Sequence, residues 1–229
     1  MRRMDLITRQ RQERRAAMLS AARELIAERR YADITVRDLA ERCGVSVPTL
    51  YNQFGGKDGL LSAAIEEHFL EVLNSTPVAS SNPGYERLNH IIDQSAEQIL
   101  VLSAYHQRLL EAFSAIRSTA PVQQRVANQL AAAMREELQV MAGQNQLSDW
   151  VDVSSIANQM TSASIAVAVV WSSGMISDHQ FSASMQYSTG LVLLGVTRGR
   201  VRKNLEERVK MAQHALTQRP ATRQNQINN

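Results

Sequence analysis

Apolar residues recur at spacings of three and four along almost the whole chain, and helix-stopping residues fall between those stretches rather than inside them. A chain written this way folds as packed helices, because such a stripe lines one side of a helix but both faces of a strand. Ten glycines and five prolines punctuate the pattern, mostly at its boundaries. No stretch alternates strongly with the two-residue period of a half-buried strand, and no segment repeats. The expected fold class is therefore all-α. The 229 residues suffice for one large domain or two small ones.

The first helix is expected from about Thr8 to Arg29, behind a short basic arm, with Met18, Ala22, Leu25 and Ile26 as its stripe. "RRYAD" interrupts it. Thr35, with Asp38 three residues on, has the form of a capping box opening a two-turn helix with Val36, Leu39, Ala40 and Cys43. Gly44 stands where a helix ends in a left-handed residue. Ser46 can cap the next helix, about 47–53, and Pro48 sits in its first turn, where a missing N–H does no harm. Leu50 and Phe54 are expected inward, with Val47, Pro48, Thr49, Asn52 and Gln53 more exposed. A fourth helix follows Gly55 and Gly56, from Lys57 to about Leu73.

Residues 74–84 form the clearest loop. Beyond it, Leu88, Ile91, Ile92, Ile99 and Leu102 mark one helix, and Leu109, Leu110, Phe113 and Ile116 another, with a kink near Ser103. Pro121 opens a helix striped by Val122, Val126, Leu130, Met134, Leu138 and Met141. Two more are expected from about Asp149 to Ser173 and from Asp178 to about Thr197. Asn204 with Glu207 resembles a second capping box, opening a basic helix to about Leu216.

Charge is unevenly spread. Residues 1–58 carry 12 Lys/Arg against 8 Asp/Glu, residues 59–197 carry 5 against 12, and residues 198–229 carry 8 against 2. A basic head on an acidic body points to a polyanionic partner for the head. The single cysteine, Cys43, excludes an internal disulfide framework and a Cys-rich zinc site, and is expected in a small buried slot. The longest apolar run, 165–171, is far short of the roughly 20 residues a bilayer requires, and no apolar leader follows the basic N-terminus. A cytoplasmic chain with no membrane partner is expected.

Two short helices joined by a tight glycine turn, braced by a longer helix before them, have the layout of a helix-turn-helix. Its second helix lies in the DNA major groove and its first crosses the backbone. A three-helix bundle without ligand has the same outline. The string "ITVRDLAERCGVSVPTLYNQFGGKDGLL" is more specific: it resembles the N-terminal signature of the TetR family of bacterial transcriptional regulators, over roughly residues 15–66. Beyond it the chain matches that family in length and helical layout rather than in motifs.

The resemblance implies double-stranded operator DNA as partner. It gives Arg37 a phosphate or base, and sets Val47, Pro48 and Thr49, behind Ser46, against base edges and backbone. Tyr51 would donate its hydroxyl to a phosphate, Asn52 would read a base, and Lys57 would bind phosphate with the positive end of its helix. Tyr51 as a core aromatic and Lys57 as a solvated charge are the plainer alternatives. Many relatives carry a basic residue or glycine at the positions of Val47 and Pro48, and often His where Gln53 stands. Apolar residues there suit thymine methyls better than guanine. The arginines of the arm, Arg2, Arg3, Arg9, Arg11, Arg14 and Arg15, are either additional DNA contacts or disordered.

The resemblance also implies a DNA-binding head at 1–58 and a helical effector-binding and dimerisation body at 59–217; the tail at 218–229 has too few apolar residues to pack and is expected to be disordered. Tyr105, His106, Phe113, Met134, Gln159, Met160 and Trp171 are candidate linings for a small-molecule effector site, being polar and aromatic groups dotted along apolar faces. Each is otherwise ordinary core or surface, and His106 an ordinary, partly exposed histidine. The helix around 151–171 is apolar on nearly all sides, and the last long helix mixes Phe181, Met185, Leu191, Val192 and Leu194 with Ser188, Gly190 and Gly195. Ile165, Val169, Met185, Leu191 and Leu194 are accordingly the candidate contacts of a homodimer, which would set two reading helices about 34–36 Å apart.

No catalytic residue, metal ligand set or cofactor is expected. "FGGKDG" superficially resembles a phosphate loop, but that pattern needs glycine where Tyr51 stands and Ser or Thr where Asp58 stands. His68, His90, His106, His179 and His214 lack ligand spacing, and the Glu pairs at 66/67, 136/137 and 206/207 read as solvated helix faces. The expected function is a ligand-responsive repressor. The alternatives are an activator of the same fold, a ligand-independent DNA-binding scaffold, or an enzyme using the bundle only as structure.

Overall fold

The computed structural model describes residues 2–75, 82–116 and 120–218. Among these every regular element is helical: α1 (Arg2–Glu28), α2 (Val36–Arg42), α3 (Val47–Phe54), α4 (Lys57–Ser75), α5 (Tyr85–Val101), α6 (Ser103–Ala115), α7 (Ala120–Gly143), α8 (Val153–Ser172), α9 (Asp178–Leu194) and α10 (Gly199–Thr217). A 3₁₀ turn at Tyr31–Asp33 follows α1, and one antiparallel bridge joins Leu147 to Thr197. The all-α expectation holds.

The chain divides into two compact units. The first comprises Met1–Thr76 and Leu102–Leu130. In it α1 packs on α2, α4 and α6 and buries Met18, Leu19, Ala22, Leu25 and Ile26; Leu39 of α2, Leu50 of α3, Leu60, Leu61 and Ile65 of α4 and Leu109 of α6 are buried in the same unit. Two ion pairs tie its helices: Arg23 of α1 to Glu67 of α4 at 2.7 Å, and Arg125 of α7 to Glu66. Cys43 is only half-buried, its thiol 3.6 Å from the Met18 carbonyl oxygen.

The second unit comprises Pro77–Val101 and Ala131–Asn229. Its core includes Leu88, Met134, Leu138, Met141, Met160, Trp171, Phe181, Leu193 and Leu205. The Trp171 and Phe181 ring centroids lie 4.6 Å apart, and the indole N–H of Trp171 donates to Asp178 at 2.8 Å. α9 packs on α8, α10 and α5. Gly190 makes the α10 contact possible: a Cβ there would stand 2.6 Å from Val209.

Several boundaries differ from expectation, each for a local reason. The basic arm is not separate, since α1 begins at Arg2. The kink expected near Ser103 is present, as a break at Leu102, which leaves helical space at φ −125, ψ 54. α8 starts at Val153 because Asp152 caps it, accepting from the Ser155 amide at 2.7 Å. α10 starts at Gly199, so Asn204 lies inside the helix and caps nothing. The chain is held just ahead of it, where the Arg198 amide donates to the Gln146 carbonyl at 2.9 Å, and Gly199 at φ +66 then turns into the helix.

The Glu pairs are not simply solvated. Glu137 is 6% exposed, accepts from the Gly84 amide at 2.6 Å and faces Arg87 at 3.6 Å. Such burial is tolerated because both oxygens are matched. Most of the expected 74–84 loop and nearly all of the tail at 218–229 lie outside the described residues.

Candidate nucleic-acid interface

The head is assembled by local signals. The Asp38 amide donates to the Thr35 hydroxyl at 3.2 Å while the Thr35 amide donates to the Asp38 carboxylate at 2.8 Å, so the capping box is complete. The Ser46 hydroxyl accepts from the Thr49 amide at 3.3 Å, starting α3. Gly44 at φ +64 and Gly55 at φ +77 take the left-handed conformation that ends each short helix.

α3 then sorts its residues. Leu50 is wholly buried and Phe54 half-buried, while Pro48, Tyr51, Asn52 and Gln53 are exposed and Val47 and Thr49 half-buried. Tyr51, at 53% exposed, is not a core aromatic. Arg37 on α2 is exposed and has no partner among the described residues, whereas Arg29 pairs with Asp38 at 3.1 Å and Arg42 with Glu28 at 2.9 Å.

The turn into α4 is the tightest place in the head. A Cβ on Gly59 would lie 1.8 Å from the Phe54 carbonyl oxygen, so the first turn of α4 touches the last carbonyl of α3. Lys57 is neither solvated nor free. Its ammonium donates to the Tyr31 carbonyl oxygen at 2.6 Å and sits 4.0 Å over the Tyr31 ring. The Tyr31 hydroxyl donates to Asp58 at 2.8 Å, and burial together with this carboxylate pushes its pKa up to about 12. The parts that Tyr31 and Gly59 play in this turn were not legible in the sequence. Only the third glycine of "GGKDG" hinted at the close approach.

Further along α4, the Nε2 atoms of His68 and His106 lie 2.9 Å apart, linking α4 to α6. His106 is 3% exposed rather than partly exposed, and two histidines without ligand spacing in sequence meet in space. The ring accepting this hydrogen bond must be unprotonated. Burial, then His106, then Arg23 push the His68 pKa down to about 4. Between pH 6.5 and 4 the unfolded chain therefore takes up a proton that the folded chain excludes. This contribution to stability is complete above about pH 6.5 and falls as pH drops towards 4, by about 2 kcal/mol after discounting for partial solvation. Urea unfolding at pH 7.5 and 4.5 should show this loss, and His68→Gln should remove that part of the pH dependence.

The remaining candidates separate by unit. Tyr105, His106 and Phe113 cluster in the first, where His68 is 5.2 Å from Tyr105 and Phe69 is 6.3 Å from Phe113, ring centre to ring centre. Met134, Met160 and Trp171 are buried in the second, and Gln159 is exposed there. Ile165, Val169 and Leu191 are 41%, 40% and 46% exposed, Leu194 is half-buried, and Met185, at 6%, faces its own core.

A short outward-facing helix held by a glycine turn, on a bundle of long helices, defines a helix-turn-helix protein of the all-helical kind. Residues 18–64 match the family described as "Bacterial regulatory proteins, tetR family". In this head the chain is similar to the TetR family. It is 39% identical over 54 residues to the HTH-type transcriptional regulator EthR of Mycolicibacterium smegmatis, a match spanning 24% of this chain and 25% of that protein. It is 34% identical over 82 residues to the regulator BetI of Brucella canis, spanning 34% of this chain and 41% of that protein. Among solved structures, a TetR transcriptional regulator from Rhodococcus sp. RHA1 has a TM-score of 0.62 at 19% identity, covering 80% of this chain and 96% of that one. SmeT, the repressor of the Stenotrophomonas maltophilia multidrug efflux pump SmeDEF, has a TM-score of 0.59 at 16% identity, covering 82% and 92%. These structural likenesses extend the shared fold well past the head.

Proposed function

We propose that the protein is a sequence-specific, DNA-binding transcriptional regulator that acts as a homodimer and is released from its operator by a small molecule. The observation that carries this reading is the division of labour on α3: Leu50 holds the helix to the head, while Pro48, Tyr51 and Asn52 stand exposed on its outer side. A major groove about 12 Å wide accepts such a helix. Arg37 and Tyr51 then meet phosphates, and Val47, Pro48, Thr49 and Asn52 meet base edges. Lys57 joins them by exchanging the Tyr31 carbonyl for a phosphate oxygen. The head at 1–58 is the DNA-binding part and the body at 59–217 the regulatory part.

The exposed stripe Ile165, Val169 and Leu191 suits a second copy. α8 is long and apolar enough to cross a membrane by length and composition. Its exposed Ser155, Asn158, Gln159 and Ser162 suit a protein partner better than lipid. For the effector, Tyr105, His106 and Phe113 are the foremost candidates, with Met134, Gln159, Met160 and Trp171 as candidates from the other unit. A structural neighbour has been solved as a SmeT–triclosan complex, at TM-score 0.59, 17% identity and 82% coverage of this chain. α4 carries Lys57 near one end and His68 towards the other, so a molecule pressing on the histidine pair acts on the helix that sets Lys57. The role is binding rather than catalysis.

Selection of sites from a random duplex library, followed by titration at several salt concentrations, tests this. Tyr51→Phe should weaken binding to all sequences alike, by roughly tenfold for a lost charge-assisted hydrogen bond. Val47→Ala and Asn52→Ala should instead change which sequences are selected. Recovery of no preferred sequence by the unaltered chain would defeat the reading.

A further inference from the structure

α1 is 27 residues long, yet every position from 8 to 17 is exposed, and from Thr8 on the first buried residue is Met18. At 3.6 residues per turn, Ile26, Ala22 and Leu19 continue along the helix into Arg15 and Arg11. This stripe is apolar where the head lies beneath it and basic where the head ends. Arg11 and Arg14 have no partner among the described residues, and Arg9, on the far side, is matched by Glu13 at 2.9 Å. The Arg15 guanidinium lies over the Phe54 ring, 4.8 Å from its centre, so the arm leaves the head at the C-terminal end of α3. A face carrying one sign of charge, continuous with the DNA-facing elements, complements a polyanion.

We propose that the exposed N-terminal part of α1 is a second DNA-contacting element, a helical basic arm in which Arg11 and Arg14 grip backbone phosphates flanking the bases met by α3. This rests on the DNA-binding reading above. Positions 8–17 span about 15 Å, and a helix about 10–12 Å thick does not enter a minor groove about 6 Å wide. The arm therefore lies on the backbone and adds affinity without sequence preference.

The test compares the full chain with Arg11→Gln/Arg14→Gln and with Arg11→Lys/Arg14→Lys on a random-sequence duplex and on a library-selected site. Each neutralised phosphate contributes about 0.9 to the slope of log affinity against log salt. The Gln variant should lose about 2 from that slope per protomer on both duplexes, with thermal stability and site preference unchanged, and the Lys variant should keep the original slope. An unchanged slope in the Gln variant overturns the arm while leaving the head's role intact. A changed site preference overturns its assignment to phosphates. Failure of the unaltered chain to bind any duplex overturns the underlying reading and the arm with it.

Discussion

Gly59→Ala is expected to abolish DNA binding and to destabilise the first unit by about 3 kcal/mol, at the upper end of what overpacking costs. The new methyl would lie 1.8 Å from the Phe54 carbonyl oxygen, and neither side of that contact is the flexible end of a side chain. α3 is anchored by the wholly buried Leu50, and α4 by Leu60 and Leu61 immediately after the glycine. Relief requires opening the last turn of α3 or the first turn of α4. Either displaces Tyr51 or Lys57 from the surface they share. Thermal unfolding and duplex binding, measured where the variant is still folded, read the two effects. Gly143→Ala is the control: it lies at the exposed end of α7, its Cβ would meet nothing within 4 Å, and it should be neutral or slightly stabilising. Wild-type stability and affinity in Gly59→Ala would show that the two helices do not need their close approach.

Trp171→Ala carries the largest expected loss of stability, about 3–5 kcal/mol. The side chain is fully buried, packed on Phe181 and hydrogen-bonded to Asp178, so truncation leaves a cavity and removes that hydrogen bond. Trp171→Phe should recover most of this by refilling the space. The same pair separates structural from ligand roles. If Trp171 is core, both variants follow their unfolding temperatures and effector response survives wherever the protein is folded. If Trp171→Phe keeps its stability but loses the response, the indole belongs to the binding site.

The head was largely legible in the sequence because its determinants are local. A Thr35–Asp38 box, Ser46 before Pro48, and glycines at 44 and 55 act over three or four residues, and each makes the bond or turn its type implies. What escaped is non-local. His68 and His106 are 38 positions apart, Gly84 and Glu137 are 53 apart, and nothing in either neighbourhood announces the other. The start of α10 was misplaced for the same reason: Asn204 and Glu207 have the spacing of a cap, but a bond from Arg198 back to Gln146 decides where the helix begins. The arm was read as separate from the first helix because its described residues, from Thr8 to Ala17, are all exposed and carry no buried stripe. A helix can continue past its core when its remaining face is meant for something other than protein.

The packing of α9 bears on how many copies can assemble. With α8, α10 and α5 against it, this helix keeps a strip of Ser184, Ser188 and Leu191 partly or fully open, continued by Gly195 just past its end. α10 seals one flank, closing over Gly190 and held to α5 by the pairing of Arg208 with Asp93. Where such a strip meets the same strip on a second copy about a two-fold axis, each copy has spent it and the pair has none left to offer. Assembly through that strip stops at a closed pair and has no route to an open-ended array.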